Sequence, residues 1–265
     1  MTLGVIGYGN MGQAIVRGVV KKNLFEKIVV YDVAQSKLSR LPRSTFQAKK
    51  VEDIFVCDIV LLAIKPQDVA SFCEANQVLL KNHTNPLVTI VAGLPVSFYR
   101  QWTGCPIARV MPNTPAQVGE GASALYFDGE FSDTMRKMIL NMFNALGIAE
   151  VVSKEDLLHA VTGLSGSGPA YVFLFLSALT DAGVMEGLPR NVAKKLAIQT
   201  VLGSAALALQ AIKDEKSFED LKDMVMSPGG TTARGVYTLE KGGLRFTVME
   251  AVSEATKRSR ELGGK

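Results

Sequence analysis

An α/β fold, with a parallel doubly wound sheet followed by an all-helical domain, is predicted for this 265-residue chain by three observations. Short, almost continuously apolar runs alternate with helical stretches through the first half, as expected of strands covered on both faces. A glycine-rich turn joins the first of these runs to the first helical stretch. Past Val152 strand candidates almost disappear and the sequence becomes helix-forming, so the boundary is drawn between 1–152 and 153–265.

In order, residues 3–6, 27–31, 59–64, 87–91 and 107–110 read as the strands, with residues 13–21 as the first intervening helix. Ser153 is placed as the cap of the first helix of the second domain. Gly168-Pro169 opens a long apolar helix through Tyr171, Phe173 and Phe175, and Leu188-Pro189 starts an alanine-rich one running to about Ile212. Both are hydrophobic on most faces, which places them in a core or against a second copy of the chain. With few helices available to enclose them, a dimer interface is expected, with a monomeric bundle as the alternative.

Composition narrows the function. Hydrophobic residues make up 48% and charged residues 20%, so the chain folds rather than remaining solvated. The net charge of +4 is spread along the sequence, which argues against a nucleic-acid groove or a membrane-binding stripe. The longest apolar run, 170–179, is shorter than the roughly 20 residues of a membrane span. Cys57, Cys73 and Cys105 are scattered, as for reduced thiols in the cytoplasm, and no secretory leader is read at the N-terminus. Two histidines, His83 and His159, and no paired cysteines leave no metal site in prospect.

Gly7-Tyr8-Gly9-Asn10-Met11-Gly12 follows the first strand and leads into a helix, and Asp32 ends the next strand twenty residues beyond Gly12. This is the Rossmann dinucleotide fingerprint: a tight turn, an open approach for pyrophosphate, and a close helix–strand packing. A carboxylate at Asp32 accepts hydrogen bonds from a ribose diol and repels a 2′-phosphate, which leans towards NADH; Lys37, Lys49 and Lys50 are near enough to offset that lean.

A general base is scarce. His83 lies in a polar loop and reads as solvated, and His159 reads as a packed helix residue. Lys65 ends the third strand ahead of Pro66, where ligands of such sheets bind. Met111-Pro112-Asn113-Thr114-Pro115 forms a proline-stiffened turn. Ser227-Pro228-Gly229-Gly230-Thr231-Thr232 precedes a helix, which gathers amides, hydroxyls and a positive helix end into a pocket suited to a small carboxylate.

With these segments in order, and with Ala63-Ile64-Lys65-Pro66, residues 161–171 and residues 223–232, the chain resembles the pyrroline-5-carboxylate reductases over essentially its whole length. The resemblance implies a Rossmann domain and a helical dimerisation domain, a homodimer or a larger oligomer built of dimers, and reduction of a cyclic imino acid to L-proline with NAD(P)H. It implies cofactor contacts from Ile6, Gly7, Tyr8, Gly9, Asn10, Met11, Gly12, Asp32, Ala63, Ile64, Lys65, Pro66 and Asn113. Ser227, Gly229, Gly230 and Thr231 would hold substrate, Thr232 would meet the imine nitrogen as the catalytic group, and Glu155 matches a substrate-side acid. Asp32 stands where relatives often carry Ser or Thr, which departs from NADPH preference. Two competing readings are a β-hydroxyacid dehydrogenase, disfavoured because no lysine lies between Gly166 and Asp181, and a dinucleotide sensor without turnover.

Overall fold

The computed structural model describes residues 1–264, the Arg40 side chain excepted, and divides into two compact units: residues 1–167 with 252–265, and residues 168–251. The expected strands form the centre of the first unit. β1 (Thr2–Ile6), β2 (Lys27–Tyr31), β4 (Ile59–Leu62), β5 (Leu87–Thr89) and β6 (Ile107–Met111) pair in parallel, and all four residues of β4 are buried. Side chains alternate across the sheet. Leu3 and Val5 join one apolar cluster with Ile15, Val19 and Phe143, from α1 (Asn10–Lys21) and α5 (Asp133–Asn144). Ile6, Val60 and Leu62 join the other with Ile54, Val69 and Tyr99, the last two from α2 (Pro66–Ala75) and α4 (Val96–Arg100). Each such side chain fully buried stabilises the fold by about 1.5–3 kcal/mol.

The full sheet has eight strands in the order β3-β2-β1-β4-β5-β6-β7-β8. Three were not expected. β3 (Thr45–Gln47) is a short edge strand, while β7 (Gly121–Asp128) and β8 (Gly147–Val151) carry Gly, Ala, Ser and Glu where β-branched residues would announce a strand. They also correct the expected all-parallel sheet, because β7 runs antiparallel to β6 and β8 follows β7 in parallel. β7 and β8 meet at two glycines: a Cβ on Gly147 (φ +142°) would fall 2.1 Å from the Gly121 carbonyl oxygen.

The packing boundary lies after Ser167 rather than at Val152. Sequence texture marks the end of the strands, whereas contacts keep the next segment with the sheet. Ser153 does not cap α6 (Leu157–Val161), whose N-cap position is Asp156. Asn113 Nδ2 donates to the Ser165 carbonyl, and Asp156 pairs with Arg260 at 3.1 Å. Arg260 belongs to α11 (Leu244–Gly263), and α11 residues from Val252 onward count with the first unit.

The second unit contains α7 (Gly168–Met185), α8 (Arg190–Ala211), α9 (Phe218–Val225) and α10 (Thr231–Lys241). α7 and α8 open at the expected positions and pack through small residues: a Cβ on Gly183 would lie 3.1 Å from the Ala193 Cβ. Much of their apolar surface, including Phe173, Leu174, Leu196, Leu202 and Leu209, is exposed on the single chain. By length and composition alone, residues 157–185 and 190–214 pass for membrane spans, which the ten-residue run considered in the sequence did not.

Candidate active site

The order of the sheet reverses between β1 and β4, and ligands of such sheets bind beyond the carboxyl ends of strands at that point. The glycine turn after β1 lies there. Gly7 has φ +98°, and a Cβ on it would fall 2.5 Å from the Ala63 carbonyl oxygen just past β4. A Cβ on Gly12 would fall 2.3 Å from the Gly7 carbonyl oxygen. These two glycines therefore hold the crossing of strand, turn and helix.

Gly9 differs, since nothing lies within 4 Å of where its Cβ would stand. It is the N-cap of α1, with no side-chain cap and no acidic residue in the first turn. The start of α1, the positive end of a 12-residue helix, is thus open at Gly9. A pyrophosphate group fits this position. When bound, a reduced dinucleotide supplies the hydride for a reduction.

Asp32 is buried and directed at the same turn. Its Oδ2 accepts from the Tyr8 amide at 2.8 Å, its Oδ1 from the Ala34 amide at 2.8 Å, and Lys37 Nζ lies 3.3 Å from both oxygens. Burial pushes its carboxyl up, but the two amides and the Lys37 ammonium outweigh burial and hold it below the usual carboxylate value. The carboxylate expected to meet a ribose also braces the glycine turn from beneath.

Lys65 is the N-cap of α2, with Pro66 at the first helical position, and its side chain is exposed. Pro66 lines a cavity of about 400 Å³ with Ala92, Gly93 and Leu94 from the β5–α4 connection. Thr162 and Ser167 add hydroxyls, and Arg258, Ser259 and Leu262 of α11 close its other side. Sequence reasoning missed the β5–α4 and α11 residues. Gly93 (φ +78°) beyond the carboxyl end of β5 was the available signal, while α11 has no local pattern that marks a cavity wall.

Two expected ligands have their polar groups engaged within the fold. Asn113 is buried, with Oδ1 accepting from the Ala122 amide and Nδ2 donating to Ser165, so it staples the end of β6. Glu155, expected on the substrate side, accepts through Oε1 from Arg109 Nη1 at 2.6 Å and from the Val96 amide at 2.8 Å. The reading of His83 is corrected: it is buried rather than solvated, edge-on to Phe55, and burial lowers its pKa. His159 is packed as expected, with Nδ1 2.9 Å from Ser259 Oγ; burial first, then the nearby Arg109 charge, lowers its pKa.

In the second unit, Ser227 and Gly230 close a tight turn in which the Gly230 amide donates to the Ser227 carbonyl at 2.9 Å. Gly229 takes φ +68°, and a Cβ on Gly230 would fall 2.3 Å from Ser227 Oγ. Gly230 is the N-cap of α10, again without a side-chain cap or a first-turn acid. The loop is exposed, and Thr232 is half-buried in the first turn. This repeats the start of α1 with hydroxyls beside it, as a small carboxylate requires.

Residues 155–262 match the family described as pyrroline-5-carboxylate reductase dimerisation, and residues 2–93 match NADP oxidoreductase, coenzyme F420-dependent. The pyrroline-5-carboxylate reductase of Arabidopsis thaliana is 42% identical over 98% of this chain and 95% of its own length. The chain belongs to the pyrroline-5-carboxylate reductase family. The Glycine max reductase is 40% identical, covering 98% of this chain and 96% of its own. Among solved structures, the Coxiella burnetii pyrroline-5-carboxylate reductase superposes with a TM-score of 0.92 at 32% identity, over 98% of this chain and 97% of its own. The Plasmodium falciparum pyrroline carboxylate reductase, solved with NADP bound, gives 0.83 at 34% identity over 99% and 98%. Both halves of the chain thus carry the family's pattern, an α/β nucleotide domain and a helical dimerisation domain.

Proposed function

We propose that the chain reduces the cyclic imine of 1-pyrroline-5-carboxylate to L-proline with NAD(P)H, the last step of proline synthesis. The observation that carries this reading is the loop of glycines and hydroxyls at the start of α10. A chain with family kinship along its whole length presents a nucleotide turn at α1 and, at α10, a separate amide-and-hydroxyl loop that a nucleotide alone would not need.

The residues divide the work. Residues 6–12 and the 63–66 segment bind the dinucleotide, with Asp32 bracing the turn and accepting from the ribose. The Ser227, Gly229, Gly230 and Thr231 loop holds the substrate carboxylate, with the Gly230 amide closing the turn and the Ser227 hydroxyl and the Gly229 and Thr231 amides facing the ligand. The Thr232 hydroxyl oxygen accepts from the iminium N–H and orients the ring, so that rate comes chiefly from placement. An iminium substrate arrives protonated, which accounts for a site built without a histidine base. Asp32 favours NADH, because a 2′-phosphate would face a carboxylate held in its charged form.

The exposed apolar faces of α7 and α8 are covered by a second copy, giving a homodimer through the helical domain, from which larger oligomers are built. That assignment places these helices against protein rather than in a membrane, and the buried thiols Cys57, Cys73 and Cys105 suit the cytoplasm. No role with nucleic acid is assigned. Steady-state kinetics with five- and six-membered cyclic imino acids, each against NADH and NADPH, test the whole reading. Cofactor consumption that depends on the five-membered imine is expected, whereas consumption with 3-hydroxy acids instead, or binding without turnover, overturns it.

A further inference from the structure

The cavity beside Pro66 has one wall that the sheet alone does not hold. Residues 92–95 leave the buried end of β5, turn at Gly93 (φ +78°) and enter α4, a helix of only five residues. A stretch this short has little rigidity of its own, and its placement depends on what grips its far end. Tyr99 fixes one face of α4, with its hydroxyl 2.9 Å from Thr89 Oγ on β5. The entry to α4 is gripped separately. The Val96 amide, an end group with no partner inside the helix, donates to Glu155 Oε1 at 2.8 Å.

Glu155 is itself fixed. The same Oε1 accepts from Arg109 Nη1 at 2.6 Å, and Arg109 lies on β6, beside β5, with its side chain 7% exposed. A strand-borne buried guanidinium therefore aims a carboxylate, and the carboxylate holds the exit of the loop. We propose that Glu155 and Arg109 are positioning residues for the reduction: together they clamp the Ala92–Gly93–Leu94 wall of the cavity at its working distance. This takes the cavity, lined by Pro66 of the 63–66 segment assigned above to the dinucleotide, as the place where the reaction occurs. It also explains why an acid at the start of the second sequence region is bonded twice through Oε1 within the fold.

The test exploits a backbone feature. Val96 is the first residue of α4 and follows Pro95, whose ψ of 165° is extended, so proline is accommodated at position 96 and Val96→Pro removes the N–H donor while leaving the Glu155–Arg109 pair in place. Val96→Pro is expected to lower kcat about tenfold or more while the cofactor Kd, read by fluorescence titration, stays unchanged. Glu155→Ala should lower kcat further, and Glu155→Gln, which still offers Val96 an acceptor, should recover most of it. If Val96→Pro retains wild-type kcat and KM, or if Glu155→Ala loses only thermal stability with full turnover per folded molecule, the clamp is overturned. Val96→Pro decides the matter should Glu155→Ala fail to fold. Ala92→Phe separates the two levels, because Ala92 is exposed in the wall and the larger ring would occupy the cavity. Loss of turnover in Ala92→Phe with an inert Val96→Pro refutes the clamp alone, whereas turnover intact in both refutes the cavity reading and the clamp with it.

Discussion

The helix starts at α1 and at α10, each with glycine at the N-cap and no side-chain cap, use the same device in opposite surroundings. At α1 the turn is locked: Gly7 and Gly12 leave no room for a side chain, and Asp32 ties Tyr8 from below. At α10 the turn closes only on itself, through Ser227 and Gly230, and most of its residues are exposed on the single chain. The first site is complete within one nucleotide unit, so its geometry is set when that unit folds. The second lies in the unit whose long helices expose apolar faces on the single chain, and under the proposed homodimer its surroundings are completed only on association. One chain thus carries one turn that is locked by its surroundings and one that is exposed.

The sharpest way to break this comparison is at the locked turn. Gly12→Val should abolish measurable cofactor binding, a loss of about 100-fold or more, and should lower the melting temperature, because its Cβ meets backbone that cannot move away. Gly9→Ala should separate the two effects. With open space around the Cβ and an ordinary φ of −75°, the fold should melt as wild type while cofactor affinity falls. Calorimetric titration alongside thermal scans reads both, and wild-type affinity in Gly9→Ala would remove the pyrophosphate from that space. At the exposed loop, Thr232→Val should lower kcat by roughly 100-fold with the cofactor dissociation constant unchanged, since it removes the hydroxyl that accepts from the iminium N–H and places the ring. Wild-type kcat would take Thr232 out of the reaction.

Both turns were legible in the sequence because each is a local pattern of glycine and hydroxyl residues next to a periodic segment. The five central strands were legible for the same reason, as buried parallel strands are apolar throughout. What escaped depends on distant neighbours. β7 and β8 are built around the Gly121–Gly147 approach, which no window of sequence displays. Glu155 looks like any first-turn acid until Arg109, on a strand far earlier in the chain, is found against it. His83 reads as solvated among polar residues, yet Phe55 packs against its ring. The packing boundary was shifted by side chains such as Asn113 and Asp156, which tie a helical segment back to the sheet.

A smaller effect sharpens the role of Asp32. Asp32→Ser should raise the NADPH-to-NADH efficiency ratio by about tenfold, as a repelled phosphate becomes tolerated. Because Asp32 also braces Tyr8, absolute affinity for both cofactors should fall somewhat. An unchanged ratio with lowered affinity would make Asp32 a brace alone.

The smallest expected effect is on pH, and it again falls on the nucleotide unit. Burial lowers the pKa of His83 below its ordinary 6.5, and burial followed by the Arg109 charge does the same for His159. A group whose folded pKa is depressed binds fewer protons in the native state than in the unfolded one. Its contribution is therefore fully present above about pH 6.5 and is lost as pH falls through the depressed folded values. Asp32, also depressed, gives up its share only in the lower carboxylate range, so the two contributions separate along the pH axis. The melting temperature should accordingly decline between about pH 7 and about pH 5, and His83→Leu, which keeps an apolar neighbour for Phe55, should flatten that decline by a few degrees. An equally steep decline in His83→Leu would assign the acid sensitivity to His159, whose ring nitrogen is held by Ser259 in the cavity wall. Acid would then loosen the cavity before it loosens the core beneath the sheet.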